Sequence, residues 1–146
     1  MRELHDGLPT WTETKRLLLR SKPALRCTVY GLGKPHPAVV RHDGDGTWLV
    51  EDGQAKSEST LSWALSAAEP ARFARLAHAD GTVVSRVEEL ARPCLVVRVE
   101  GLRRPDGPAF VLTVDAATGV IVRMERDADP APIIVMTELE IGTPSP

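Results

Sequence analysis

The second half of the chain alternates apolar and polar positions with a period of two, the mark of strands that bury one face. Leu95, Val97 and Val99 alternate with Val96, Arg98 and Glu100, and Val135, Leu139 and Ile141 alternate with Met136, Glu138 and Glu140. The pattern predicts strands over 82–89, 94–101, 109–115 with 120–126, and 133–141. Arg92-Pro93, 104–108, 115–119 and 127–132 are the expected turns, and the proline-rich ones fit because proline cannot donate to a strand ladder.

The first half changes period twice. Thr10 with Glu13 three residues on is a capping-box pair, predicting a helix over about 10–21 that Pro23 ends. Residues 25–30, 38–41 and 47–51 are β-prone, with turn clusters at 42–46 and Asp52-Gly53. Leu61, Ala64, Leu65 and Ala68 then recur at helical spacing, predicting short helices over about 58–68 and 70–77, with Ser57 or Ser59 as cap and Pro70 as breaker. Trp63, Phe73 and Leu76 supply their apolar face.

The order helix, strands, helices, strands defines an α+β class: an antiparallel, strongly curved sheet of about 7–8 strands packed on a small helical layer. The expected organisation is one unit over 1–146, with the N-terminal helix in 1–23, first strands in 24–53, helices in 57–79, C-terminal strands in 82–141 and a frayed tail at 142–146. Within it, 110–124 reads as a hairpin that writes its own turn. Asp115 can bond backbone N–H groups two residues on, and Gly119 can take a positive φ. A three-residue loop with Gly119 as a bulge would pair Phe110, Leu112 and Val114 with Met124, Val122 and Val120 on one face.

Composition narrows the functions available. A chain of 146 residues with 42% hydrophobic content can bury a real core. Eighteen basic against twenty acidic residues, a net charge of -2, argue against a nucleic-acid binder. Cys27 and Cys94 lie in apolar, strand-like stretches without metal-type spacing, as buried thiols or a mutual disulfide. The apolar run near Met1 covers only 17–19, short of the roughly 7–15 residues of a secretory h-region, so a cytoplasmic protein is expected. No run approaches the roughly 18 apolar residues of a membrane span.

Candidate chemistry is sparse. His5, His36, His42 and His78 have no partner at metal-ligand spacing, and Asp43, Asp45, Glu51 and Asp52 lack the calcium-loop pattern. Gly31-Leu-Gly33 opens like a dinucleotide fingerprint but leads to Pro37 and another strand, so its glycines are read as bending or ending the first strand. No nucleophile elbow is present, and no catalytic residue, cofactor or metal is assigned. Trp48 and Trp63 are the aromatic residues best placed to line a cavity, in a chain with only 4% aromatics.

Asp45-Gly-Thr-Trp48, Arg92-Pro-Cys94, Val114-Asp-Ala-Ala-Thr-Gly119 and Thr137-Glu-Leu139, in that order, resemble the LolA-like superfamily. Its members include the outer-membrane lipoprotein carrier and the amino-terminal domain of RseB-type sigma-factor regulators. The resemblance implies an incomplete antiparallel barrel wrapped around helices, with an apolar cavity for acyl chains or other hydrophobic groups. The expectation that follows is a non-enzymatic half-barrel holding a hydrophobic ligand in its concave face. Its candidate walls are Trp48, Trp63, Leu95, Val97, Phe110, Leu112, Val114, Val120, Val122, Met124, Val135 and Leu139. The alternative is a regulatory or scaffold module with a closed core that docks a protein partner, or a second copy through an edge strand.

Overall fold

A computed structural model describes residues 7–34, 37–42, 48–50, 62–129 and 131–142. The turn at 43–46, the carboxylates Glu51 and Asp52, the caps Ser57 and Ser59, His5, His36 and the tail 143–146 lie outside the described residues. The elements run α1 (Trp11–Arg20), β1 (Leu25–Gly31), β2 (Ala38–His42), β3 (Trp48–Val50), α2 (Ser62–Ala68), two 3-10 turns (Pro70–Arg72 and Leu76–His78), β4 (Asp80–Glu89), β5 (Arg92–Glu100), β6 (Phe110–Asp115), β7 (Ile121–Arg126) and β8 (Pro132–Ile141). The strands form one open, curved, antiparallel sheet of eight in the order β3-β2-β1-β8-β7-β6-β5-β4. This is the α+β arrangement that the sequence predicts.

The capping box forms as written. The Glu13 N–H donates to Thr10 Oγ1 at 3.1 Å, and the Thr10 N–H donates back to Glu13 Oε1 at 3.2 Å. These bonds satisfy donors that a helix start otherwise leaves open. The helix expected over 70–77 is instead the two 3-10 turns. Pro70 sits at the first position, and neither turn has a side-chain cap to continue it.

Two turns depart from the sequence reading. The β6–β7 loop holds four residues, 116–119, rather than three: the Asp115 N–H donates to Val120 O and the Gly119 N–H to Asp115 O, both at 2.8 Å. Leu112 pairs with Met124 and Val114 with Ile121, so the expected Phe110-to-Met124 register shifts and Val122 is left over as a bulge. The bulge is why Val120, Ile121 and Val122 are all buried in succession. The other departure is the turn before β5, which falls at Leu90-Ala91, both at positive φ, 53° and 58°. Two-residue hairpins of this twist call for Asn-Gly, and non-glycine residues there are strained.

The strained turn is held by a buried carboxylate. Asp115 is 0% exposed in its side chain, and Arg92 Nε donates to Oδ1 at 2.8 Å while Nη2 reaches Oδ2 at 3.3 Å. The Thr118 N–H and hydroxyl also donate to Oδ2, at 3.0 and 2.5 Å. The Ala116 N–H donates to Pro93 O at 3.0 Å, so backbone and side chains tie the β5 start to the β6–β7 tip. Such charge-assisted, bidentate pairs are among the stronger protein hydrogen bonds. The Asp115 bonds also explain the shifted Arg92 guanidinium, whose pKa the Asp115 hydrogen bond raises further.

The helix α1 rests on this tip. At Gly119, φ is +83°, and an added Cβ would lie 2.9 Å from Leu17 O, so glycine is required for both conformation and space. At its other end the Trp11 indole N–H donates to Ala79 O at 3.1 Å, and the ring covers Gly81. The α2 helix crosses β1, β2, β7 and β8. Its Ala64, Leu65, Ala67 and Ala68 are buried, and side chains this small let it approach the sheet closely.

Cys27 and Cys94 are free and buried, on strands separated in the sheet by β8, β7 and β6. Burial pushes the Cys27 thiol up to about 12 from 9.0. Burial, with the Asp115 charge second, also raises Cys94.

Arg92→Met strips the buried carboxylate of its cation and is expected to cost about 3–5 kcal/mol, read as a lower urea midpoint. Ala91→Gly relieves a left-handed alanine and is expected to raise stability by about 1 kcal/mol in the same assay. Cys27 keeps its proton in the folded state while the unfolded chain loses it near its ordinary value. Its contribution is therefore whole below pH 9 and declines as pH rises toward about 12, by at most about 1.4 kcal/mol per unit. Denaturant titrations of Cys27→Ala against the parent across that window should show the parent losing stability faster.

Candidate functional site

A cleft of about 490 Å³ with a largely apolar lining opens at one end of the sheet. Its walls come from four places: Gly31, Leu32 and Lys34 at the end of β1; Trp63 and Ser66 of α2; Arg72 at the end of the first 3-10 turn with Phe73, Ala74 and Arg75 after it; and Leu102 and Arg103 after β5. Met124 of β7 with Ile133 and Ile134 of β8 closes it.

A bulge opens this cleft. Met124 pairs with Ile134, but Glu125 pairs with Pro132, so Ile133 is an extra residue in β8. Two consecutive isoleucines therefore line the same cavity, which a regular strand would not allow. The bulged Ile133 also presents its carbonyl to the Leu32 N–H at 2.8 Å, fastening the lip that follows β1. A second bulge in the same strand, at Thr137, lies opposite the Thr28–Val29 step of β1. It switches the inward face of β8 from Ile134 and Met136 to Leu139 and Ile141, so Val135 is not on the Leu139 face as the alternation implied.

Trp63 is placed by a glycine. A Cβ on Gly31 would lie 2.8 Å from the indole, so the ring packs flat on bare backbone at the end of β1. The Lys34 ammonium stands 5.8 Å from the ring centroid, within cation–π range. Gly31-Leu-Gly33 thus ends β1 as expected, with Gly33 at φ +76° in the turn.

Among the described residues, four cations border the cleft, Lys34, Arg72, Arg75 and Arg103, and no carboxylate lines it. Arg75 Nε donates to Gly101 O at 3.3 Å, fixing the guanidinium between the helical layer and the loop after β5. Arg72 Nε lies 3.8 Å from Glu69 Oε2, an acid outside the lining. Among the described residues, no group of three or more His, Cys, Asp or Glu could hold a metal ion. No helix there is long and apolar enough to cross a membrane.

The sequence-predicted wall residues divide into groups. Trp63 and Met124 line the cleft. Leu95, Val97, Phe110, Leu112, Val114, Val120 and Val122 are 0–3% exposed in the core, where they touch protein. Leu139 is half-buried against that core, and Val135 is half-buried on β8. Trp48 begins β3 opposite His42, and its side chain lies outside the described residues. Phe73 was placed on the helical apolar face and Ile133 and Ile134 within the predicted 133–141 strand, whereas Leu32, Leu102 and the four cations were not singled out by sequence.

A wider groove of about 680 Å³ lies between α1, β4 and the β6–β7 tip, bordered by Glu13, Arg16, Arg20 and Arg86. Its lining is more polar, with no aromatic side chain among the described residues.

This architecture, an unclosed antiparallel sheet around a few helices, is the fold that the sequence resemblance implies. Among solved structures it is similar to MucB, at 17% identity and a TM-score of 0.56 over 92% of this chain. It is also similar to the Pseudomonas aeruginosa MucA/MucB complex, at 18% identity and a TM-score of 0.51 over 91% of this chain. The chain spans 60% and 59% of the lengths of those two chains. No protein-family profile matches it, and no curated protein does.

Gly31→Ala is expected to push the Trp63 ring off the end of β1. Acrylamide quenching of tryptophan fluorescence should rise in Gly31→Ala, and the rise should vanish when Trp63 is also Phe.

Proposed function

We propose that this protein is a non-enzymatic binding module that holds the apolar part of a ligand in the Trp63 cleft. The observation that carries the reading is the cleft itself. Its volume of about 490 Å³ falls within the roughly 300–1,000 Å³ of small-molecule sites, and Trp63, Phe73, Met124, Ile133 and Ile134 face it. Among the described residues of the expected wall, Leu95, Val97, Phe110, Leu112, Val114, Val120 and Val122 are buried against protein, which favours ligand contact at this end of the sheet. Acyl chains or similar groups suit such a lining, because burying apolar area is what it offers.

A second reading has its own support. One of the similar solved structures is a complex of MucB with MucA, so a protein segment is the alternative occupant of this chain's cleft or of its sheet edge. Native mass spectrometry of the purified protein separates the two, through a co-purified apolar mass or a retained polypeptide.

Dodecanol, a neutral chain, is expected to bind one-to-one in isothermal calorimetry, and Trp63→Ala to weaken it about tenfold. Equal binding by the variant would place the ligand elsewhere.

A further inference from the structure

The cleft has a charge asymmetry that an apolar ligand alone leaves unexplained. The chain as a whole carries more acid than base, 20 residues against 18, yet among the described residues Lys34, Arg72, Arg75 and Arg103 border this opening and no carboxylate lines it. The cations come from three separate segments: the turn after β1, the stretch from the end of the first 3-10 turn to the start of the second, and the loop after β5. No local run of basic sequence explains their meeting.

We propose that the cleft selects a single-chain amphiphile with an anionic oxygen head, of the long-chain carboxylate class. This rests on the apolar-ligand reading above and adds the head group to it. The tail lies against Trp63, Phe73 and the Ile133–Ile134 pair, and the head meets the cationic rim. Arg75 gives only Nε to Gly101 O, and its terminal nitrogens keep their donors. A guanidinium fixed in this way is pre-organised for a planar carboxylate. Lys34 over the Trp63 ring brings a point charge to the place where tail and head would join. Among the described residues, Glu69 is an acid beside Arg72 and 4.0 Å from Lys22, and it lies outside the lining. A volume of about 490 Å³ lies in the lower half of the usual range, which suits one chain rather than several.

The test compares dodecanoate, dodecanol and dodecylamine, all below their micellar concentrations, by calorimetry at low salt. Dodecanoate is expected to bind about tenfold or more tighter than dodecanol, and dodecylamine more weakly than either. The preference should shrink as salt screens the rim. The exposed pair Lys34→Gln/Arg103→Gln should lose most of the preference for dodecanoate over dodecanol, and a preference kept in full would overturn the proposal. If dodecanol binds as tightly as dodecanoate and Trp63→Ala weakens both, the head-group proposal falls and the apolar cleft stands. Tighter binding of dodecylamine would overturn the proposal likewise. If none of the three chains binds, both readings fall.

Discussion

Asp115 carries a carboxylate with no exposed side-chain surface, and several otherwise separate features of the fold depend on its bonds. An ionised group withdrawn from water is costly unless its lone pairs are met, and here they are met by Arg92 and by both donors of Thr118. The first partner anchors β5 just after a turn that would otherwise resist its left-handed residues. The second shapes the β6–β7 tip. The tip in turn supplies the bare backbone at Gly119 against which the α1 carbonyl of Leu17 rests. One charge thus joins the far side of the sheet to the helix beside it.

Where Asp115 fixes the frame, bulges decide which side chains turn inward. Register shifts interrupt β4 against β5, β1 against β8, β6 against β7 and β7 against β8. Each adds local twist, which fits an open sheet curling over a small helical layer. At Val122 the effect is to thicken the core. At Ile133 it opens space beside Trp63.

Much of this frame was legible in the chain. The Thr10–Glu13 box specified α1, and period-two alternation located β5 and most of β8 because one-sided burial writes itself into a strand. Arg92-Pro-Cys94 and Val114 to Gly119 were read as two separate marks of a family, and they prove to be the two halves of one buried ion pair. Register was not legible: a bulge at Val122 or Thr137 leaves composition unchanged while moving every later partner. The Leu90-Ala91 turn was missed because it lacks the glycine or asparagine that its twist calls for. The cleft escaped for another reason. Its residues are distant in sequence, and its cations lie in loops where exposure is the ordinary expectation. Trp63, Phe73, Met124 and the isoleucines of β8 fell within periodic segments, whereas Leu32, Leu102 and the cations had no pattern of their own.

The Ile133 bulge also sets how such a cleft can be gained or lost over evolutionary time. Its opening depends on strand length rather than on the chemistry of any liner: one residue more in β8 than its partner needs. A single-codon deletion there would restore regular pairing with β7 and return one of the two isoleucines to the opposite face. Relatives with the same residue types but a different count between Met124 and Val135 can therefore share the sheet and lack the opening. Residue-by-residue likeness is the wrong scale on which to compare binding among such proteins, and the spacing of this one segment is the right one.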